Sequence, residues 1–284
     1  MNAFEQLAVG WQVLVRTLAR LGRPAVWAPF TPLALLEFGA LVVLIGFAHP
    51  LVSWIMAPLL RRAGGEALLH YPNVLRQLPD LYGRVDLLLG ATVGAVVVGA
   101  GTRVFADQFA GRRDRPGAAL REAARRAPAL ILVSAPFNLL AYLLSSGLGW
   151  LIAHRQSGAL VHRFADLIVL GGTVVLQSLF FYVACDVMLA GRGVIGTLAN
   201  VPHAAARGFW AALLVGALLA LPLLPLQSLA GHSALIVERG TPELVGWLMA
   251  AEAAIGLVLW FALAGSATLA YLTLVDHDPE SSRT

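Results

Sequence analysis

Lysine is absent from the 284 residues, so all twenty basic side chains are arginine. There is one cysteine, Cys185, which excludes an internal disulfide. Charged residues make up 13% of the chain, against about 25% in a soluble domain. Apolar residues fill the difference, at 58%, with a mean hydropathy of +0.76. These shares exclude an ordinary soluble domain. They predict an all-α polytopic bundle of six transmembrane helices with added interfacial amphipathic helices, as one integral membrane domain over 1–284. The net charge of +4 is arginine throughout and reads as membrane anchoring, with no nucleic acid as partner.

The basic residues are concentrated in Gly111 to Pro128, which holds six of them: Arg112, Arg113, Arg115, Arg121, Arg125 and Arg126. Apolar runs of membrane-spanning length flank this stretch. A cationic stretch between two such runs is a cytoplasmic loop, because arginine is costly to move across a bilayer. Asp114 and Pro116 mark a helix start. Leu120, Ala123, Ala124 and Ala127 then fall on one face, with Arg121, Glu122, Arg125 and Arg126 opposite. Two readings stay open, a solvated loop that sets topology and a docking helix in which Arg121, Arg125 and Arg126 meet a cytosolic partner.

Residues 3 to 21 predict an amphipathic helix lying in the membrane interface. Phe4, Leu7, Trp11, Leu14, Val15 and Leu18 form its stripe, and Asn2 with Glu5 forms a capping box. Spans are expected near 31–48, 86–108, 129–152, 164–189, 209–229 and 244–275. The apolar stretch 51–60 is too short to cross, since a span needs about 20 residues. The segment 68–84 reads as a short helix on the outer side. Gly90 and Gly94 form a GxxxG pair suited to close helix packing.

A threefold repeat is expected, with units 1–110, 111–190 and 191–284. An amphipathic segment precedes spans one, three and five. Those odd spans carry proline and should kink, while the even spans carry none and should run straight. The even spans also end alike, with Asp107 before Ala110-Gly111-Arg112, Asp186 before Ala190-Gly191-Arg192, and Asp276 near the end. A carboxylate at a helix carboxy-terminus opposes the helix dipole unless it is paired. Asp107 is therefore expected to bind Arg103 or Arg112, and Asp186 to bind Arg192 or Arg207, anchoring the amphipathic segments. Asp276 has only Arg283 within reach. Seven arginines (Arg61, Arg62, Arg76, Arg84, Arg155, Arg163 and Arg239) fall on the outer side and the other thirteen on the amino-terminal side. This bias puts both termini in the cytoplasm of a bacterial inner-membrane protein. The amphipathic amino end carries Arg16 and Arg20 and does not read as a cleavable signal peptide.

Two ionisable residues lie inside expected spans, Glu37 and Glu252. They are the default functional candidates, read either as a proton or cation path or as carboxylates bonded to a neighbouring helix. No histidine spacing suits a metal, and no phosphate-binding loop or nucleophile motif occurs. The sequence therefore predicts neither enzyme nor cofactor. The stretches Ala110 to Ala127 and Ala190 to Arg207 share an Ala-Gly-Arg turn followed by an alanine- and arginine-rich segment. In this the chain resembles uncharacterised bacterial six-span families similar to the membrane domain of glycerophosphodiester phosphodiesterases. The resemblance implies the six-span bundle. It implies no phosphodiesterase activity, since the catalytic domain that follows such a membrane domain in some families is not among the 284 residues.

Two functions fit these features. One is a non-enzymatic membrane scaffold or accessory subunit, with the lipid bilayer and other membrane or cytosolic subunits as partners. The other is a transporter permease working with a separate cytosolic ATPase. The topology is tested with single cysteines at 68, 118 and 235 in a Cys185→Ser background. Impermeant labelling of intact cells should reach 68 and 235 and spare 118; the reverse pattern would invert the orientation.

Overall fold

The computed structural model describes residues 1–46, 49–66, 70–113, 115–154 and 159–275. Among these the chain is helix and turn, with no strand. In chain order the helices are α1 (Ala3–Leu18), α2 (Pro24–Trp27), α3 (Thr31–Ile45), α4 (Pro50–Gly64), α5 (Asn73–Arg76), α6 (Leu78–Leu89), α7 (Ala95–Phe109), α8 (Pro116–Arg125), α9 (Ala127–His154), α10 (Ala159–Leu179), α11 (Val183–Met188), α12 (Val194–Ala220), α13 (Leu223–Ala230), α14 (Ser233–Glu238) and α15 (Glu243–Leu274). Six stretches are long and apolar enough to cross a membrane: Pro24–Ile45, Leu78–Phe109, Ala127–Leu144, Leu167–Met188, Val194–Ala220 and Glu243–Leu274. An all-α multi-pass membrane bundle is the result. Only helices satisfy every backbone group within a single segment, as the hydrocarbon layer requires.

Contacts divide the chain into two compact units, Met1–Pro29 with Ala95–Ala220 and Trp260–Thr284, and Phe30–Gly94 with Leu221–Leu259. Each unit draws on both halves of the chain.

In the first unit, α1 packs on α12. The capping box is formed: the Glu5 amide donates to Asn2 Oδ1 at 2.9 Å and the Asn2 amide to Glu5 Oε2 at 3.0 Å. The helix has three faces. Gln6, Gly10, Val13, Leu14 and Thr17 are buried, Glu5, Gln12 and Arg16 are exposed, and Phe4 (83% exposed), Trp11 (56%) and Val15 form a bare apolar stripe. Leu14 therefore belongs to the protein-facing side and not to the outer stripe expected for it. Gly208 interrupts α12 with φ −136° and ψ 16°. Such a break disturbs the helical ladder nearby, and α1 supplies a partner: the Trp210 amide donates to Gln6 Oε1 at 3.2 Å. The Gly208 carbonyl accepts from the Tyr182 hydroxyl at 3.1 Å.

Helix α8 packs on α7, buries Ala119 and Ala123 and half-buries Leu120. Ala124 is exposed, so the packed face is rotated from the one expected. Asp114, expected as the cap, lies outside the described residues; the cap position is Arg115, which makes no side-chain cap bond. Close packing occurs at Gly99, where a Cβ would stand 2.7 Å from Leu130 Cδ1. Gly90 and Gly94 instead bound a π-helical segment between α6 and α7.

The second unit gathers α3 and α6 with α4, α5, α13, α14 and the first part of α15. Its core contains Leu41, Leu44, Leu60, Val74, Leu78, Tyr82 and Met249. Helix α4 is 15 residues long and exposes Leu51 and Trp54. Of the segment 68–84, residues 70–84 are described and do not form a separate outer helix: α5 covers only Asn73–Arg76, and α6 starts the second span at Leu78. Pro79 stands in the first turn of α6, where its missing N–H would have had no acceptor.

The contrast of kinked odd and straight even spans also fails. The second span contains Pro79 and the π segment, and the fourth breaks at 180–182. The fifth bends at Gly208, not at Pro202, and α13 is separate from it.

Gly10 offers a test of the α1–α12 packing. A Cβ there would lie 2.8 Å from the Ala211 carbonyl oxygen, a backbone atom that cannot step aside. Gly10→Val should cost about 1–3 kcal/mol and lower the melting temperature in detergent. Ala8→Val, on the exposed face, should leave it unchanged; equal effects would show that α1 is not keyed to α12.

Candidate functional site

The buried carboxylates fall into two chemically different settings. In the second unit, Glu37 on α3 is 2% exposed. Leu41, one turn along the same face, shares a core with Tyr82 of α6 and with Met249 and Ala253 of α15. Those contacts bring Glu37, Asp86 and Glu252 together. Tyr82 and Asp86 are four residues apart, on one face of α6, and Glu252 adjoins Ala253. Asp86 is near enough for its charge to act on both Glu37 and Glu252, and Tyr82 is within the field of all three. The Tyr82 side chain is 4% exposed and its hydroxyl makes no hydrogen bond. Among the described residues, Glu37, Asp86 and Glu252 make no hydrogen bond or ion pair with any side chain.

The three residues differ in overall exposure. Glu37 is buried, Glu252 is half-buried and Asp86 is exposed. Glu252 borders a cavity of about 270 Å³ lined also by Arg76, Asp80, Gln227 and Ser233. Carboxylates outside ion-pair distance of a cation are costly in an apolar layer, and a proton offsets that cost, with Arg76 bordering the cavity at Glu252. Among the described residues no three His, Cys, Asp or Glu are placed to hold a metal ion. The arrangement therefore fits proton exchange or contact with a cation that keeps its own hydration.

In the first unit Asp186 and Asp107 are paired with arginine. Asp186 on α11 is 1% exposed. It accepts from Arg192 Nη1 at 2.7 Å, Asn200 Nδ2 at 2.7 Å and the Tyr271 hydroxyl at 2.7 Å. Asp107 on α7 lies 3.5 Å from Arg112 Nε and 3.8 Å from Arg103 Nε. Both turns use glycine at positive φ, +67° at Gly111 and +68° at Gly191, where other residues are strained. Both also return the arginine amide to the aspartate carbonyl, Arg112 to Asp107 at 2.8 Å and Arg192 to Asp186 at 3.1 Å. The first is a Schellman cap, and the second is one residue wider. In the second, the Val187 carbonyl is taken by the Arg126 guanidinium.

Of the residues singled out in the sequence, Arg207 does not act on Asp186; it donates to the Val275 carbonyl at 3.4 Å. Arg126 is half-buried, pairs with Glu122 at 3.2 Å and holds Val187, so it is an internal strut and not a docking residue. Arg121 and Arg125 are exposed. Asp276 and Arg283 lie outside the described residues. Sequence reasoning missed Tyr82, Asp86, Asn200 and Tyr271. Tyr82 and Asp86 carried a signal, an i,i+4 pair inside a span, but only if the span begins at 78. The reach of Tyr271 to Asp186 has no sequence signal.

The two aspartates should respond differently to removal. Asp186→Ala deletes three hydrogen bonds to a buried charge and should cost about 2–3 kcal/mol. Asp107→Ala removes longer, more exposed pairs and should cost less than about 1 kcal/mol. Melting in detergent checks the order, and equal costs would contradict the burial argument. No family model matches the chain, and no curated protein or solved structure matches it either.

Proposed function

We propose that this chain is a membrane transport protein whose conduction step passes through the carboxyls of Glu37, Asp86 and Glu252, with the proton as the transferred species. One observation carries the reading. A buried tyrosine hydroxyl without a hydrogen bond lies within the field of three carboxyls that make no ion pair among the described residues, all inside candidate spans. Ionisable groups at such depth are expensive and mark ion or proton pathways. Asp86 acts on both Glu37 and Glu252, and Tyr82 can donate to one carboxyl or accept from another. The reading is non-enzymatic and keeps the permease idea while moving the coupling from an ATPase to a proton. The placement of both termini in the cytoplasm of an inner membrane belongs to the same proposal and rests on the arginine bias.

A second reading, an accessory or scaffold subunit, is favoured by Arg121 and Arg125, which stand exposed on α8. The bare stripe Phe4, Trp11 and Val15 supports an α1 lying in the membrane interface under either reading.

Flux decides between them. Liposomes containing the purified protein and a pH dye should dissipate an imposed pH gradient. Glu37→Gln should slow this at least about tenfold, the scale of losing one proton-transfer group, while the melting temperature stays near wild type. Wild-type flux equal to empty liposomes, or full flux in a Glu37→Gln, Asp86→Asn, Glu252→Gln triple variant, would reject the transport reading.

A further inference from the structure

A cleft of about 380 Å³ opens on the first unit where α7 meets α8. Four guanidinium groups line it, those of Arg103, Arg112, Arg113 and Arg115, together with two carboxylates, Asp107 and Glu122. The carboxylates are already engaged. Asp107 pairs with Arg103 and Arg112, and Glu122 with Arg103 at 3.8 Å and Arg126 at 3.2 Å. Arg113 and Arg115 are exposed and, among the described residues, make no hydrogen bond or ion pair. Among the described residues the lining thus carries four arginines against two carboxylates, an excess of positive charge.

The backbone adds to this excess. Arg115 stands at the cap position of α8 and makes no side-chain cap bond, and Ala118, in the first turn, borders the cleft. A helix amino-terminus carries partial positive charge and favours an acidic cap. Here it meets guanidinium groups instead. Like charges gathered this way are unfavourable until an anion joins them, and arginine forks match phosphate oxygens in pairs.

The depth of the cleft identifies the anion. Helix α8 follows directly on the span Leu78–Phe109 and precedes the span Ala127–Leu144. It therefore sits at the membrane surface, at the level of lipid phosphates. Basic pockets at the ends of spanning helices are suited to anionic headgroups. We infer that this cleft binds the headgroup phosphate of an anionic phospholipid, with Arg113 and Arg115 as its principal ligands. The site is separate from the carboxyl cluster and does not depend on the transport reading.

The test uses delipidated full-length protein and native mass spectrometry, titrated with phosphatidylglycerol and with phosphatidylcholine. Wild type should retain phosphatidylglycerol preferentially, and an Arg113→Gln, Arg115→Gln double variant should lose about tenfold or more of that preference. The melting temperature in phosphatidylcholine should be the same for both proteins. If the double variant folds poorly, Arg113→Gln alone, on an exposed side chain, should still lose part of the preference. An unchanged preference in the variants, or none in wild type, would overturn the inference. Inorganic phosphate forms the control arm. Displacement of the lipid by submillimolar phosphate would show that the site takes free phosphate, and would overturn the lipid assignment.

Discussion

Asp186 receives a guanidinium from the turn after α11, an amide from α12 and a hydroxyl from α15. Those elements are distant in sequence, and in the first unit they converge on one carboxylate that is almost wholly buried. A buried charge is tolerated only when its hydrogen-bonding capacity is met, so each of the three donors is fixed by the need of the other side. The arrangement also explains the local backbone. Gly191 must be at positive φ to bring Arg192 back onto the carboxylate, and Arg126 fills the carbonyl of Val187 that the widened turn leaves open.

The turn at Gly111 repeats this design in a looser form. Asp107 is more exposed than Asp186, and its two arginines stand farther away. What recurs is a backbone device: aspartate in the last turns of a spanning helix, glycine at positive φ, then arginine. Helix breaks follow a different logic. They occur at the π segment 90–94, at 180–182 and at Gly208, and where partners are visible they are filled by side chains. Tyr182 takes the carbonyl of Gly208 and Gln6 takes the amide of Trp210. Proline is tolerated inside α9 and α12 without setting those breaks.

In the second unit, three carboxyls inside candidate spans stand apart from the exposed pairs Arg61–Glu66 and Arg76–Glu238. Among the described residues Glu37, Asp86 and Glu252 make no ion pair, whereas Asp186 pairs with one arginine and Asp107 with two. A fold can carry a paired aspartate for stability alone. Unpaired carboxyls around a buried hydroxyl cost stability, and such a cost is maintained where a charge or proton must come and go. That contrast within one chain is what motivates the transport proposal.

Hydropathy and segment length determined the all-α six-span bundle, because a helix that crosses hydrocarbon must be long and apolar whatever it packs against. The capping box of Asn2 and Glu5 and the glycine turns at 111 and 191 were equally legible, being local in sequence. Glu37 and Glu252 were visible as charges in apolar runs. What surrounds them was not: the start of α6 at Leu78, and with it Tyr82 and Asp86, depends on the core that Leu78 and Tyr82 share with Leu41 and Met249. The rotation of α8, the burial of Leu14 and the hydrogen bond from Tyr271 to Asp186 were likewise decided by packing. Periodicity shows that a helix has an apolar side, but in a membrane protein lipid and protein are both apolar, so only the tertiary structure distinguishes the face that meets another helix from the face left bare.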